Sequence, residues 1–288
     1  MDFSYYFLKE GSSSYIKTEL ITYLVANPNI IPPDKNSKSL DRVYTYKHPI
    51  LGFEAYFVMS DRNVIPHLDR IPAQYFDIHF YVHFNVLLSN YAVELILDII
   101  EDITKRFKFL TYNLSFSNDV IPFKRPVMIK AFDSWKKAYA ARNPEIVSKY
   151  CYLDPLAYSS VLNYMQKQMR LELTLEDQKV KVSRYVFYKT EKSRTAFVAI
   201  EWDGESAFVL PPAVDILVLK DGKNNKFISL VEIMNKAKKL FTIIDGYGDI
   251  SLVDSTNVKK LYKVLTKEKF APLSVKLEIL DLKNILDI

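Results

Sequence analysis

From Phe76 to Val86 apolar and polar residues alternate without a break. Phe76, Ile78, Phe80, Val82, Phe84 and Val86 are apolar, and Asp77, His79, Tyr81, His83 and Asn85 between them are polar or amphipathic. A period of two predicts a strand with one buried face, and the aromatic and β-branched content agrees. The same period decides how His79 and His83 are read. On a helix, imidazoles four residues apart share a face and can close on one zinc ion. On a strand they stand about 13 Å apart, too far for two ligands that each come within about 2.1 Å of the metal. No shared metal site is expected here.

Residues 90–107, "NYAVELILDIIEDITKRF", carry the helical period instead. Leu95, Ile96, Ile99, Ile100 and Ile103 form an apolar stripe, with Glu94, Asp98, Glu101, Asp102 and Lys105 largely away from it. "KFLTYNLSF" then alternates as a strand. Strand, helix and strand with short connections make a βαβ-like unit, of the kind found in split α/β or ferredoxin-like layouts. Upstream, "MDFSYYFLKE" predicts a first strand. "SSSYIKTELITYLVANPN" predicts a serine-capped helix ended by Asn27-Pro28, and "DRVYTYKH" and "GFEAYFVMS" two more strands.

After the proline-containing break "SNDVIPFKRPV" come three helical segments, "AFDSWKKAYAARNP", "PEIVSKYC" and "DPLAYSSVLNYMQKQMRLE", the last with Asp154 as cap and Pro155 as first helical residue. The C-terminal part is mixed again. "KVSRYVFYK" and "RTAFVAIEW" predict strands, Asp203-Gly204 a two-residue hairpin turn into "SAFVL", and "AVDILVLK" a buried strand. Ser229 and Glu232 have capping-box spacing ahead of "LVEIMNKAKKLF", Asp254 or Ser255 caps "TNVKKLYKVL", and "APLSVKLEIL" closes as a strand. The expected fold is α+β, with mixed or largely antiparallel sheets and helices packed on one face. It is expected to form two lobes, residues 1–120 and 179–288, joined by a helical connector at 121–178.

Composition supports a globular chain with a substantial core: of 288 residues 49% are hydrophobic, with 20 Tyr, 18 Phe and only 6 Gly. Net charge is +5, and Lys plus Arg exceed Asp plus Glu by only 18 to 16 in residues 1–150 and 21 to 18 in residues 151–288. Neither half has the strong basic excess of a dedicated nucleic-acid module. Cys151 stands alone, which rules out an intramolecular disulfide and fits a reducing compartment. No secretory leader is recognised at the N-terminus and no apolar run approaches the roughly 20 residues of a membrane span, so a cytoplasmic protein is expected.

Catalytic signatures are sparse. GxGxxG, GxxxxGK[ST], HExxH and GxSxG are all absent. Cys151 lies in a predicted helical stretch where nothing lowers its pKa, so it is expected to be an inert buried thiol. Glu201, Asp203 and Glu205 cluster within five residues. Their simplest reading is a turn aspartate between two glutamates that are cross-strand neighbours on a solvated face. Asp245 and Asp249 in "DGYGD" lack the ligand spacing of a calcium loop and predict a turn. Asp215, inside an apolar run, needs a partner or a function if its strand is buried.

Three roles follow from these features. The leading expectation is a non-catalytic protein that binds another protein, in the manner of an immunity protein or accessory subunit, through exposed aromatic residues. The second is a metal-dependent hydrolase or nuclease in which Asp215, Glu201 and Asp203 converge on one cation with Lys220 or Lys236 close by. The third is weak nucleic-acid binding through Lys236, Lys239, Lys259 and Lys260, should their helices pack side by side with Tyr247 and Tyr262 nearby. No cofactor and no resident metal are expected.

Overall fold

The computed structural model describes residues 1–11, 17–34, 39–114, 119–191, 193–221, 224–271 and 276–288. The chain divides into two compact units, residues 1–144 and 145–288. Both are α+β, and among the described residues the sheets are antiparallel or mixed except for one two-stranded parallel pair.

In the first unit the elements run β1 (Asp2–Glu10), α1 (Lys17–Ala26), β2 (Ile30–Ile31), β3 (Asp41–Lys47), β4 (Glu54–Ser60), β5 (Tyr75–Asn85), α2 (Asn90–Phe107), β6 (Leu110–Tyr112), β7 (Ile121–Pro122) and α3 (Arg125–Arg142). The strands form one sheet in the order β2-β3-β4-β5-β1-β6-β7. β5 and β6 are each antiparallel to β1 and lie on either side of it. The expected strand–helix–strand unit is therefore a split one, with β1 inserted between its two strands. The apolar stripe of α2 packs Val93, Ile96, Leu97, Ile100 and Ile103 against one sheet face. Leu20 and Leu24 of α1 and Met128 and Phe132 of α3 join the same core, so the helices share one face. Each such fully buried Leu or Ile contributes about 1.5–3 kcal/mol. Ser89 caps α2 by accepting the Ala92 N–H at 3.1 Å. The proposed serine cap of α1 falls on positions 12–14, outside the described residues.

The alternation that the sequence showed holds from Ile78 to Val86 but not at Phe76 and Asp77. The β1–β5 register shifts between Tyr6 and Leu8, and His79 adopts a left-handed backbone, φ 58°. This bulge turns Asp77 inward and leaves Phe76 40% exposed, the reverse of simple alternation. The Asp77 carboxylate fixes the bulge: it accepts the N–H of His79 and of Val64 at 2.7 Å each, and that of Ile65 at 3.4 Å. Ile65 and Ile71 of the preceding loop then cover Leu8 and Tyr112 on the sheet face opposite the helices.

In the second unit the order is α4 (Pro144–Val147), β8 (Cys151–Tyr152), α5 (Pro155–Leu175), β9 (Lys181–Val182), β10 (Tyr185–Thr190), β11 (Ala196–Trp202), β12 (Phe208–Leu210), β13 (Ile216–Asp221), β14 (Asn224–Ser229), α6 (Leu230–Ala237), β15 (Thr242–Ile243), β16 (Ser251–Val253), α7 (Ser255–Lys267), β17 (Leu277–Leu280) and β18 (Ile285–Leu286). A five-stranded sheet runs β14-β13-β11-β10-β17 and a four-stranded one β15-β16-β12-β9. α6 and α7 bury Ile233, Val258, Leu261 and Leu265 against Trp202, Phe208, Leu217 and Leu219. α5 packs Tyr164, Leu171 and Leu175 on Val182 and Val209, the other side of the four-stranded sheet. The C-terminal β18 pairs in parallel with β8.

Three local expectations are corrected. Asp203-Gly204 turns the chain but makes no hairpin, because β12 joins the four-stranded sheet while β11 pairs with β10 and β13. Glu201 and Glu205 are consequently not cross-strand neighbours. The capping box also fails to form: α6 begins after Ser229, whose side chain makes no cap hydrogen bond, and Glu232 instead accepts the Ala271 N–H at 3.1 Å. Finally, Cys151 lies in β8 and not in a helix, since α4 stops at Val147.

Candidate functional site

α7 shows how its lysines are placed. Val258, Leu261 and Leu265 recur at helical spacing and are buried, which leaves Lys260 and Val264 on the flank of the helix that looks along α6. α6 buries Ile233 and Ala237, and the chain then tightens through a short 3₁₀ turn at 238–240 into β15. Between these elements lies a cleft of about 880 Å³. Met234, Leu240, Phe241, Ile243 and Val264 give it an apolar floor, and Lys236, Lys238, Lys239 and Lys260 surround that floor. Among the described residues no aspartate or glutamate lines it.

The four lysines differ in freedom. Lys236 donates to the Lys269 carbonyl at 2.9 Å, faces the Glu268 carboxylate at 3.3 Å and sits 4.7 Å from the centre of the Phe270 ring. Lys260 reaches the Asn257 side-chain oxygen at 3.4 Å. Lys238 and Lys239 are exposed and pair with no carboxylate among the described residues. A concave, low-dielectric wall with uncompensated cations on it focuses a positive potential, which acts over a Debye length of about 8 Å at physiological salt. The structure thus brings Lys236, Lys239 and Lys260 to one cleft. Lys259, the fourth lysine singled out from the sequence, is exposed on α7 and does not line it. Tyr262 is 37% exposed but packs its ring over Gly204, and Tyr247 lies in the loop between β15 and β16.

The carboxylates are distributed differently. Asp203 is held by its own turn, accepting the N–H of Glu205 and Ser206 at 2.9 Å each and the Ser206 hydroxyl at 2.8 Å. Partial burial opposes ionisation there, but these bonds and Lys181 leave its pKa below the ordinary value. Glu201 forms an ion pair with Lys220 at 2.8 Å. Asp215 sits just before β13. Its carboxylate turns back to accept the Val198 N–H at 2.9 Å, and partial desolvation there holds its pKa above the usual carboxylate value. Among the described residues no three His, Cys, Asp or Glu side chains are grouped to hold a metal ion.

The histidines are structural partners. His79 contacts the Asn63 side chain at 3.1 Å, and His83 lies 3.0 Å from Asp2, stacked between Tyr56 and Tyr81. Cys151 is buried. The residues Asp245 to Asp249 form the turn of the β15–β16 hairpin.

Most aromatic residues are buried or half-buried. Phe76 and Tyr262 are the aromatic side chains more than a third exposed among the described residues, while Phe3, Tyr5, Phe7, Phe57, Phe80, Phe84 and Phe132 fill the first core. The exposed apolar positions are mainly aliphatic, Ile243 of the cleft being 66% exposed. Sequence reasoning missed that apolar floor. Phe241 and Ile243 belong to a stretch too short to show a period.

No family model, curated protein or solved structure matches the chain. Among the described residues no helix is long and apolar enough to cross a membrane.

Proposed function

We propose that this chain is a non-catalytic, cytoplasmic protein-binding protein whose second unit docks an acidic segment of a partner protein, anchored by aliphatic side chains. One observation carries the reading: a cleft of about 880 Å³ with an apolar floor, four surrounding lysines and, among the described residues, no lining carboxylate. An apolar floor favours side chains that leave water, at about 25 cal/mol per Å². The lysines supply sign selectivity and a faster encounter more than raw affinity. A nucleic acid would be drawn by the same charges, but among the described residues Phe241 is the one aromatic side chain lining the cleft, so there is little on which successive bases could stack.

The test is fluorescence anisotropy with three probes: a twelve-residue peptide of alternating Glu and Leu, its Lys/Leu counterpart, and a twelve-nucleotide oligothymidylate. Saturable binding of the acidic peptide is expected. Affinity should fall roughly tenfold in the Lys238→Glu/Lys239→Glu variant, at about 0.7 kcal/mol per reversed exposed charge. Equal binding of the Glu and Lys peptides would overturn the proposal. Binding of oligothymidylate without the acidic peptide would replace it with nucleic-acid binding.

A further inference from the structure

One residue of the cleft, Ile243, belongs to an edge strand, and that edge points to the conformation of what binds. Among the described residues β15 is an edge of the four-stranded sheet and pairs only with β16, as Thr242↔Leu252 and Ile243↔Ser251. The next pair of the same register is fixed by a bond: Ile244 N–H donates to the Ile250 carbonyl at 2.9 Å. In an antiparallel ladder, hydrogen-bonded and non-bonded pairs alternate. Because Ile244 and Ile250 form a bonded pair, Ile243 and Ser251 form a non-bonded one. The N–H and C=O of Ile243 therefore face away from β16, toward the open edge. On its N-terminal side the corresponding N–H, that of Phe241, is already taken by the Lys238 carbonyl at 3.1 Å. Ile243 thus presents a donor and an acceptor together, on a residue whose side chain lines the cleft.

Resting on the reading above, we propose that the acidic segment binds extended, as an antiparallel strand added to β15, and exchanges two backbone hydrogen bonds with Ile243. Strand addition divides the labour in the way this cleft is built: main-chain bonds hold the segment, and alternate side chains are read separately. In an extended segment, side chains on one face recur every 6–7 Å or so. One set would lie over Phe241, Ile243 and Val264, and the acidic set, projecting from the other face of the segment, would meet the field of the exposed Lys238 and Lys239. A helical segment would leave the Ile243 N–H and C=O without partners from the ligand.

The experiment uses the full-length protein and the alternating Glu/Leu peptide, N-methylated at one backbone nitrogen at a time. N-methylation deletes one donor and leaves side chains and charge unchanged. We expect one position to lose roughly tenfold in affinity, as for one hydrogen bond, with its immediate neighbours much less affected. The Ile243 amide, followed by hydrogen exchange in ¹⁵N-labelled protein, should become protected when the unmodified peptide is added. A flat N-methyl scan with an unprotected Ile243 amide, while the unmodified peptide still binds and still loses affinity in the Lys238→Glu/Lys239→Glu variant, overturns strand addition and leaves acidic-segment binding standing. Failure of the unmodified peptide to bind overturns both.

Discussion

Removing the Asp77 carboxylate measures what one buried acid contributes to the first unit. Asp77 is 8% exposed, and its oxygens take the Val64 and His79 N–H groups at 2.7 Å each and the Ile65 N–H at 3.4 Å. The two short bonds have a charged acceptor, a class with a net contribution of about 1.5–3 kcal/mol each; the third, at its length, adds little. Val64 and His79 are only half-buried, so water recovers part of the loss in Asp77→Ala. The expected destabilisation is about 3 kcal/mol, or roughly 6–12 °C in melting temperature for a unit of this size. Asp77→Asn separates charge from shape. Its one amide oxygen can serve Val64 or His79, and its NH₂ group then opposes the other N–H, so it should recover less than half of that loss. The protein has two tryptophans, Trp135 in the first unit and Trp202 in the second. In a Trp202→Phe background, urea unfolding followed by fluorescence therefore reports the first unit alone. A loss below about 1 kcal/mol in Asp77→Ala, or an Asn variant as stable as the parent, would refute the view that this carboxylate pins the bulge and its covering loop.

Three further outcomes concern the second unit, read through Trp202 fluorescence. Gly204 has φ +81°, and a Cβ there would lie 2.8 Å from the Tyr262 ring, so Gly204→Ala should cost about 1–3 kcal/mol. Part of that cost should disappear when Tyr262→Ala is combined with it, and strict additivity would show that the ring contact is irrelevant. Asp254 caps α7 through the N–H of Thr256 and Asn257, so Asp254→Ala should lose about 1 kcal/mol in urea at pH 7. The Thr256 hydroxyl and these amides hold its folded pKa below 3.8, so its contribution is present above that value and fades as pH falls through the lower folded one. A gap between parent and variant that widens in acid would refute the assignment. Asp215 has the opposite sign: its folded pKa is raised, so its contribution is present below 3.8 and is lost as pH rises through the folded value. Asp215→Asn, which keeps an acceptor for the Val198 N–H, should match or exceed the parent by up to about 1 kcal/mol at pH 7, with no advantage at pH 3. A marked loss at pH 7 would mean that the charge itself is needed.

Elements whose own side chains determine them were legible in the sequence. α2 spans Asn90–Phe107 as its stripe predicts, and α5 starts at Pro155 behind Asp154, which accepts the N–H of Leu156 and Ala157. Features set by a partner elsewhere in the chain were not legible. The β5 bulge depends on Asp77 reaching Val64, thirteen residues away. β14 is mostly polar and exists as the edge partner of β13, in register from Ile216↔Ser229. Asp203-Gly204 has the residues of a hairpin turn, yet which sheet receives the next strand is decided by packing: Phe208 buries against Trp202, ring centres 5.1 Å apart, while β13 takes the place beside β11. Local chemistry specified the turn and long-range packing its consequence.

Charge shows the same division with a functional consequence. The excess of 21 basic over 18 acidic residues in 151–288 suggests a nearly neutral surface. In the fold, four of those acids are committed to lysines or arginines away from the cleft, Glu201 to Lys220, Glu278 to Lys189, Glu191 to Lys276 and Glu172 to Arg184, while Glu268 pairs with Lys236 of the cleft. The lysines of the cleft come from two segments about twenty residues apart, and no acid from either segment lines it. A modest net charge therefore coexists with a strongly one-signed concavity. If surface charge were uniform, association of an acidic peptide would track the net charge and respond equally to reversal of any exposed lysine. The structure predicts instead that Lys259→Glu, outside the lining, changes affinity much less than Lys239→Glu, although both reversals alter net charge equally. Equal effects in the anisotropy assay would show that the ligand is held by the general field of the second unit and not by this cleft.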